Sequence, residues 1–198
     1  MIILLAAIFF ALFGFAIDAQ TLPERYMVTD VAADDVLNIR SEPTSGSDVI
    51  GELGPYTLNV EVLRTQDGWG YIGAGEQSGW VSMRYLADNP PPPNEVPRPL
   101  ACFGTEPFWS LTLHPRGADY NDPNVGRRPL AILRESVAYN GYVIEAQEGP
   151  TLIRTVTINA LPCNDGMSDR DFGMSMTMFT EAPDGNSVQT GCCTLQVN

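Results

Sequence analysis

Val36-Leu37-Asn38-Ile39-Arg40-Ser41-Glu42-Pro43-Thr44-Ser45-Gly46-Ser47 alternates and then breaks. Successive side chains of a strand project to opposite faces, so Leu37 and Ile39 share one side and Asn38 and Arg40 the other. The stretch from Ser41 to Ser47, rich in hydroxyl residues and carrying Pro43 and Gly46, has the composition of a loop. The same pattern repeats outward. Val49-Ile50-Gly51-Glu52-Leu53 and Leu58-Asn59-Val60-Glu61-Val62-Leu63 read as strands, the second with Leu58, Val60 and Val62 inward. Asp67-Gly68 is a tight hairpin turn feeding Trp69-Gly70-Tyr71-Ile72, and Gly79-Trp80-Val81-Ser82-Met83 leads into Arg84-Tyr85-Leu86.

The second half of the chain follows the same rule. Ser110–His114, Leu130–Leu133, Gly141–Ala146, Thr151–Ile158, Met174–Phe179 and Cys192–Val197 are strand segments, and Met174, Met176 and Met178 fall on one face. Turns at Tyr139-Asn140-Gly141 and Pro183-Asp184-Gly185-Asn186 separate them. No window carries a long apolar stripe of helical period, so the expected class is all-β. Two domains are expected: a small barrel at residues 26–87 and a second antiparallel meander or barrel at residues 100–198. Between them, residues 88–99 hold Pro90, Pro91, Pro92, Pro93, Pro97 and Pro99 and lack the donors to join a sheet. In polyproline form this linker spans roughly 35 Å, enough to hold the domains apart.

Residues 1–19 form an apolar run ending at Ala19-Gln20, short for a bilayer span and suited to cleavage as a signal peptide. The expected location is secreted or periplasmic, with no membrane span once the segment is removed. The net charge is −13 and every one of the 11 basic residues is arginine. That balance argues against nucleic acid as a partner and against attraction to an anionic bilayer.

Leu37-Asn38-Ile39-Arg40-Ser41-Glu42-Pro43, Ile50-Gly51-Glu52-Leu53, Asp67-Gly68-Trp69, Gly79-Trp80-Val81 and Tyr85-Leu86 together resemble the bacterial SH3 domain family. Where that family places a turn glycine before its third strand, this chain has Tyr56-Thr57. The resemblance implies a strongly bent SH3-like barrel of five or six strands, a module that holds cell-wall (peptidoglycan) peptides or a protein partner of the envelope. Trp69, Trp80, Leu37, Ile39, Val60, Val62 and Leu86 are expected to pack the small core. Tyr56, Tyr71 and Tyr85 remain as ligand-binding candidates, since a tyrosine offers flat apolar area and one hydroxyl at low entropic cost.

Gly104-x-Glu106-Pro107-Phe108-Trp109, Cys163-x-Asp165-Gly166-Met167-Ser168-Asp169 and Gly191-Cys192 resemble a family of exported bacterial β domains without an assigned activity. Within them, Glu106, Trp109, Asp165 and Asp169 are candidate ligand contacts. The chain has four cysteines, which in an exported protein read as two disulfides. Cys192 and Cys193 point to opposite faces of one strand, so each takes a distant partner. Cys163–Cys192 with Cys102–Cys193 is the preferred pairing and the swapped pairing is its rival.

Catalytic readings are weaker. A cysteine hydrolase needs a thiolate and an adjacent histidine base, and the only histidine, His114, sits on a strand beside Pro115. Asp165, Asp169 and Asp171 do not match a calcium loop, and the cysteines lack zinc spacing. No metal and no cofactor are expected. The expected function is therefore an exported envelope-associated binding protein that is not an enzyme. The alternatives are a cell-wall hydrolase with its chemistry in the second domain and a secreted enzyme inhibitor.

Overall fold

The structure is a computed structural model that describes residues 23–197. The signal-peptide expectation for residues 1–19 lies outside the described residues. The described chain is built almost wholly from strands and contains no α-helix.

The first unit is a seven-stranded antiparallel sheet. Its strands are β1 (Glu24–Val28), β2 (Leu37–Arg40), β3 (Val49–Leu53), β4 (Val60–Gln66), β5 (Trp69–Ala74), β6 (Gln77–Ser82) and β7 (Leu86–Asp88). They run in the order β3-β2-β6-β5-β4-β1-β7. Leu37 and Ile39 enter the core together with Tyr26, Val28, Val60, Val62, Ile72 and Val81. The alternation that defined the strands therefore also selects the buried set. β1 and β7 add to the five strands read from the sequence, which brings residues before and after those strands into the same sheet.

Tyr56 shows how the turn without a glycine is made. It takes φ 65° and is 65% exposed, and Asn59 after it takes φ 59°. A left-handed backbone costs a residue with a Cβ roughly 1–2 kcal/mol. Tyr56→Gly is expected to raise the stability of this unit by about 1 kcal/mol, read as a higher urea midpoint at unchanged slope. A lower midpoint would mean that the tyrosine side chain contributes more than its backbone strain costs.

The second unit is a closed eight-stranded barrel. β8 (Leu100–Thr105), β9 (Phe108–His114), β10 (Gly117–Asp122), β11 (Gly126–Ala138), β12 (Gly141–Glu148) and β13 (Leu152–Asn159) follow one another around the wall. The chain then leaves the wall for an excursion holding two short paired strands, β14 (Cys163–Asn164) and β15 (Asp171–Phe172). It returns as β16 (Met174–Ala182) and β17 (Gly185–Leu195), and β17 closes the barrel by pairing with β8. Met174, Met176 and Met178 all face the interior with Leu100, Leu111 and Ile158. Arg154, only 4% exposed, is also inside. Its guanidinium donates to Glu148 at 2.6 Å and to the Thr180 hydroxyl at 3.0 Å, and it lies over the Tyr120 ring. A buried charge is tolerated when it is paired and hydrogen-bonded in this way.

Both disulfides follow from strand geometry. Cys193 faces the barrel core and bonds Cys102, its direct partner across the β17–β8 seam. Cys192 points the other way and bonds Cys163, tying the excursion to the outer wall.

The expectation that the linker holds the two units apart is corrected. Asn59, Glu61, Gly75 and Ser78 of the first unit hydrogen-bond to Gln196, Leu195, Arg170 and Asp171 of the second. Val96, near the end of the linker, is buried in the barrel core. The proline run spans an edge that the two units already share, because an apolar residue at its end and polar groups on both units are better buried than hydrated.

Candidate functional site

The most complete candidate site lies on the first unit. Between the β1–β2 loop, the β2–β3 loop and the segment after β6 runs a groove of about 560 Å³. Strand alternation builds its floor: Gly70 and Ile72 face the core, so Trp69 is left on the outer face beside its neighbour Ser82. Tyr85 follows β6 and stands at the same groove, its ring half-buried against the core. The rim carries both charges, with Asp30 and Asp35 from the β1–β2 loop and Arg40 and Arg84 opposite. None of these four forms an ion pair among the described residues. Arg40 is braced by donating to the Ser47 carbonyl at 2.7 Å. The groove thus combines aromatic area with charges of either sign that are not neutralised in ion pairs, which suits a short peptide carrying charged termini or side chains.

The structure separates the three candidate tyrosines. Tyr85 lines the groove; Tyr71 lies on the adjoining face, 4.9 Å from Trp80, with the Arg64 guanidinium 3.4 Å above its ring. Arg64 also pairs with Asp171 at 3.5 Å, so Tyr71 is engaged at the contact with the barrel. Tyr56 stands alone on its exposed turn. Three expectations are corrected: Trp69, expected in the core, lines this groove; Trp80, also expected in the core, is buried on the outer face beside Tyr71; and Leu58, expected inward, is 39% exposed. For Trp69 the signal was present, since a strand that buries Ile72 must turn Trp69 and Tyr71 outward together.

On the barrel, Glu106 and Asp165 line one cleft of about 390 Å³ between the β8–β9 turn and the excursion. The Thr105 hydroxyl donates to the Asp165 carbonyl at 3.1 Å, which joins the two segments. The Asp165 carboxylate is fully committed: it accepts the N–H groups of Met167 and Ser168 at 3.0 and 2.9 Å and the Ser168 hydroxyl. Burial opposes ionisation there, but those donors prevail and hold the carboxyl below its ordinary range. Asp165 therefore shapes the loop. Asp169 is exposed and lines no part of this cleft, so the three carboxylates do not converge. Trp109 is 4% exposed and stacks on Tyr120, which makes it a core residue of the barrel; only its edge reaches a neighbouring cleft.

His114 sits on the outer wall, its Nε2 2.7 Å from Asp119, which also pairs with Arg127. The hydrogen bond from Arg127, more than that from His114, keeps the Asp119 carboxyl below its usual range. All four cysteines are in disulfides. Among the described residues no three metal-ligating side chains come together, and no helix is long and apolar enough to cross a membrane.

Comparison with known proteins bears on the first unit. Residues 35–87 match the bacterial SH3 domain family, which covers β2 to β7 and the groove residues from Asp35 to Tyr85. No curated protein and no solved structure matches the chain.

Proposed function

We propose that the protein is an exported, envelope-associated binding protein whose SH3-like module holds a peptide, either a cell-wall stem peptide or a segment of an envelope protein, in the groove between Trp69 and Tyr85. The observation that carries this reading is the groove itself, with two aromatic rings beside four unpaired charges of both signs. The bacterial SH3 match supports a binding role, and two disulfides are characteristic of an oxidising compartment outside the cytoplasm. The motifs of the second module, similar to exported β domains, support the same location and name no ligand. The reading is non-enzymatic: all four cysteines are in disulfides, which leaves no thiolate for a cysteine hydrolase, and the His114 imidazole is hydrogen-bonded to Asp119.

The test is binding of purified peptidoglycan, followed by an NMR titration with a soluble stem peptide. Retention on the wall material, with shifts centred on Trp69 and Tyr85, is expected. Trp69→Ala should weaken binding tenfold or more, equivalent to about 1.4 kcal/mol, whereas Tyr56→Ala should leave it unchanged. No retention, or shifts confined to the barrel, would remove the module from this role.

A further inference from the structure

We propose that the cleft between the two modules binds a hydrocarbon chain ending in a carboxylate, with Arg25 and Tyr142 holding the carboxylate. The cleft, about 480 Å³, is formed by three segments far apart in sequence: the start of β1, the proline linker and the β11–β12 hairpin. Its volume lies within the ~300–1,000 Å³ typical of small-molecule sites. Because the modules are hydrogen-bonded to each other beside it, the cleft is preformed.

The walls select the body of the ligand. Pro90, Pro91 and Pro97 line one side and Val137 the other, with Met174 and Leu195 at the floor. Proline has no N–H, so this wall cannot donate to the carbonyls of a peptide backbone. An alkyl chain needs no such donors and gains from the apolar area. Val137 and Tyr139 are exposed on a hairpin that extends beyond the barrel, so apolar surface is left open to water at the mouth.

Two polar groups select the head. Arg25 is half-buried and has no ion-pair partner among the described residues. Its Nε donates to the Asn89 carbonyl and one terminal nitrogen reaches Asn59 Oδ1 at 3.4 Å, which fixes the guanidinium and leaves the other terminal nitrogen uncommitted. Tyr142 lines the same cleft, its half-buried ring packed against the barrel core. A guanidinium and a hydroxyl in a partly desolvated cleft form a carboxylate-binding pair. Glu24 and Asp88 also line the cleft, and Glu61 is the buried cross-strand neighbour of Arg25; Glu24 already accepts the Tyr26 hydroxyl, Glu61 accepts the Thr194 hydroxyl and the Leu195 N–H, and Asp88 is exposed at the lip. None of the three offers an anionic head group a place, which leaves Arg25 as its one cationic contact.

The experiment is calorimetric titration of the purified protein with decanoate below its micelle concentration, and in parallel with decanol and with N-acetyl-Leu-Leu-Leu bearing a free carboxyl terminus. Saturable one-to-one binding of decanoate is expected, at least tenfold tighter than either comparison compound. Arg25→Gln should weaken it tenfold or more, Arg25→Lys less, and Val137→Glu, an exposed position on the wall, should abolish it without changing the melting curve. Absence of saturable binding would overturn the proposal. So would equal binding of decanol, unchanged affinity in Arg25→Gln, or binding of the tripeptide in preference to decanoate.

Discussion

Replacing Cys102 and Cys193 together by alanine is expected to lower the stability of the barrel by about 4–5 kcal/mol. The two residues are 91 apart in sequence and lie directly opposite each other on β8 and β17, the first and last strands of the barrel. Their bond therefore closes nearly the whole module into one covalent loop. In the chain-entropy account, a loop of that length restricts the unfolded ensemble by roughly 4.6 kcal/mol. Both side chains are completely buried, so the substitution also removes core volume. The Cys163–Cys192 bond closes a loop of only 29 residues, for which the same relation gives about 3.6 kcal/mol. Because that bond ties down the excursion and not the barrel seam, its removal should loosen the Cys163–Phe172 region first. Urea denaturation and hydrogen exchange distinguish the two. Loss of both pairs with equal and small effects would show that seam pairing holds the barrel without its staple.

Much of this architecture can be read from side-chain alternation. Leu37 and Ile39 share the first core, Met174, Met176 and Met178 share the second, and the opposed faces of Cys192 and Cys193 dictate different partners. β10 was not legible, because Gly117-Ala118-Asp119-Tyr120-Asn121-Asp122 has the composition of a turn; two inward residues, Ala118 and Tyr120, hold it in the wall. Arg154 is similar, since it occupies an inward position of β13 and only the fold brings Glu148 and Thr180 to it. The groove was half legible. Tyr85 stands out as a candidate in the sequence, whereas Trp69 reads as core because a tryptophan in a small barrel is usually packing. The docked arrangement of the modules left no trace in the sequence, for a reason that Glu61 makes plain. In Leu58-Asn59-Val60-Glu61-Val62-Leu63 the polar residues take the outer face, and an outer face reads the same whether water or another module covers it.

Glu61 carries the second large effect. It is 7% exposed, and its Oε2 accepts the Thr194 hydroxyl at 2.7 Å and the Leu195 N–H at 2.9 Å, both on the last barrel strand. Its Oε1 is buried without a hydrogen-bond partner. It is pressed so close to Gly173 that a Cβ there would meet it at 2.8 Å. Glu61→Ala leaves the Leu195 N–H buried and unpaired and takes from Arg170 a compensating charge, with Asp165 as the other. A cost of about 2–3 kcal/mol is expected, with the modules separating before either unfolds. The dependence on pH follows from the same burial. Desolvation raises the Glu61 pKa above its ordinary 4.5, against the opposing pull of the Thr194 and Leu195 donors and of Arg170. Arg25, its cross-strand neighbour, and Tyr142 of β12 complete the charged surroundings. A carboxyl whose pKa is raised in the docked state favours docking fully below about 4.5 and loses that contribution as pH climbs through the raised value. Docking should therefore be tightest in mild acid and weaken toward neutrality, and Glu61→Gln, which cannot ionise, should flatten the profile. Melting curves of the two proteins from pH 4 to 8 decide the matter. If they run parallel, ionisation of Glu61 is not linked to the contact between the modules; if they converge only in acid, this one buried carboxylate sets how firmly the first unit is held to the barrel.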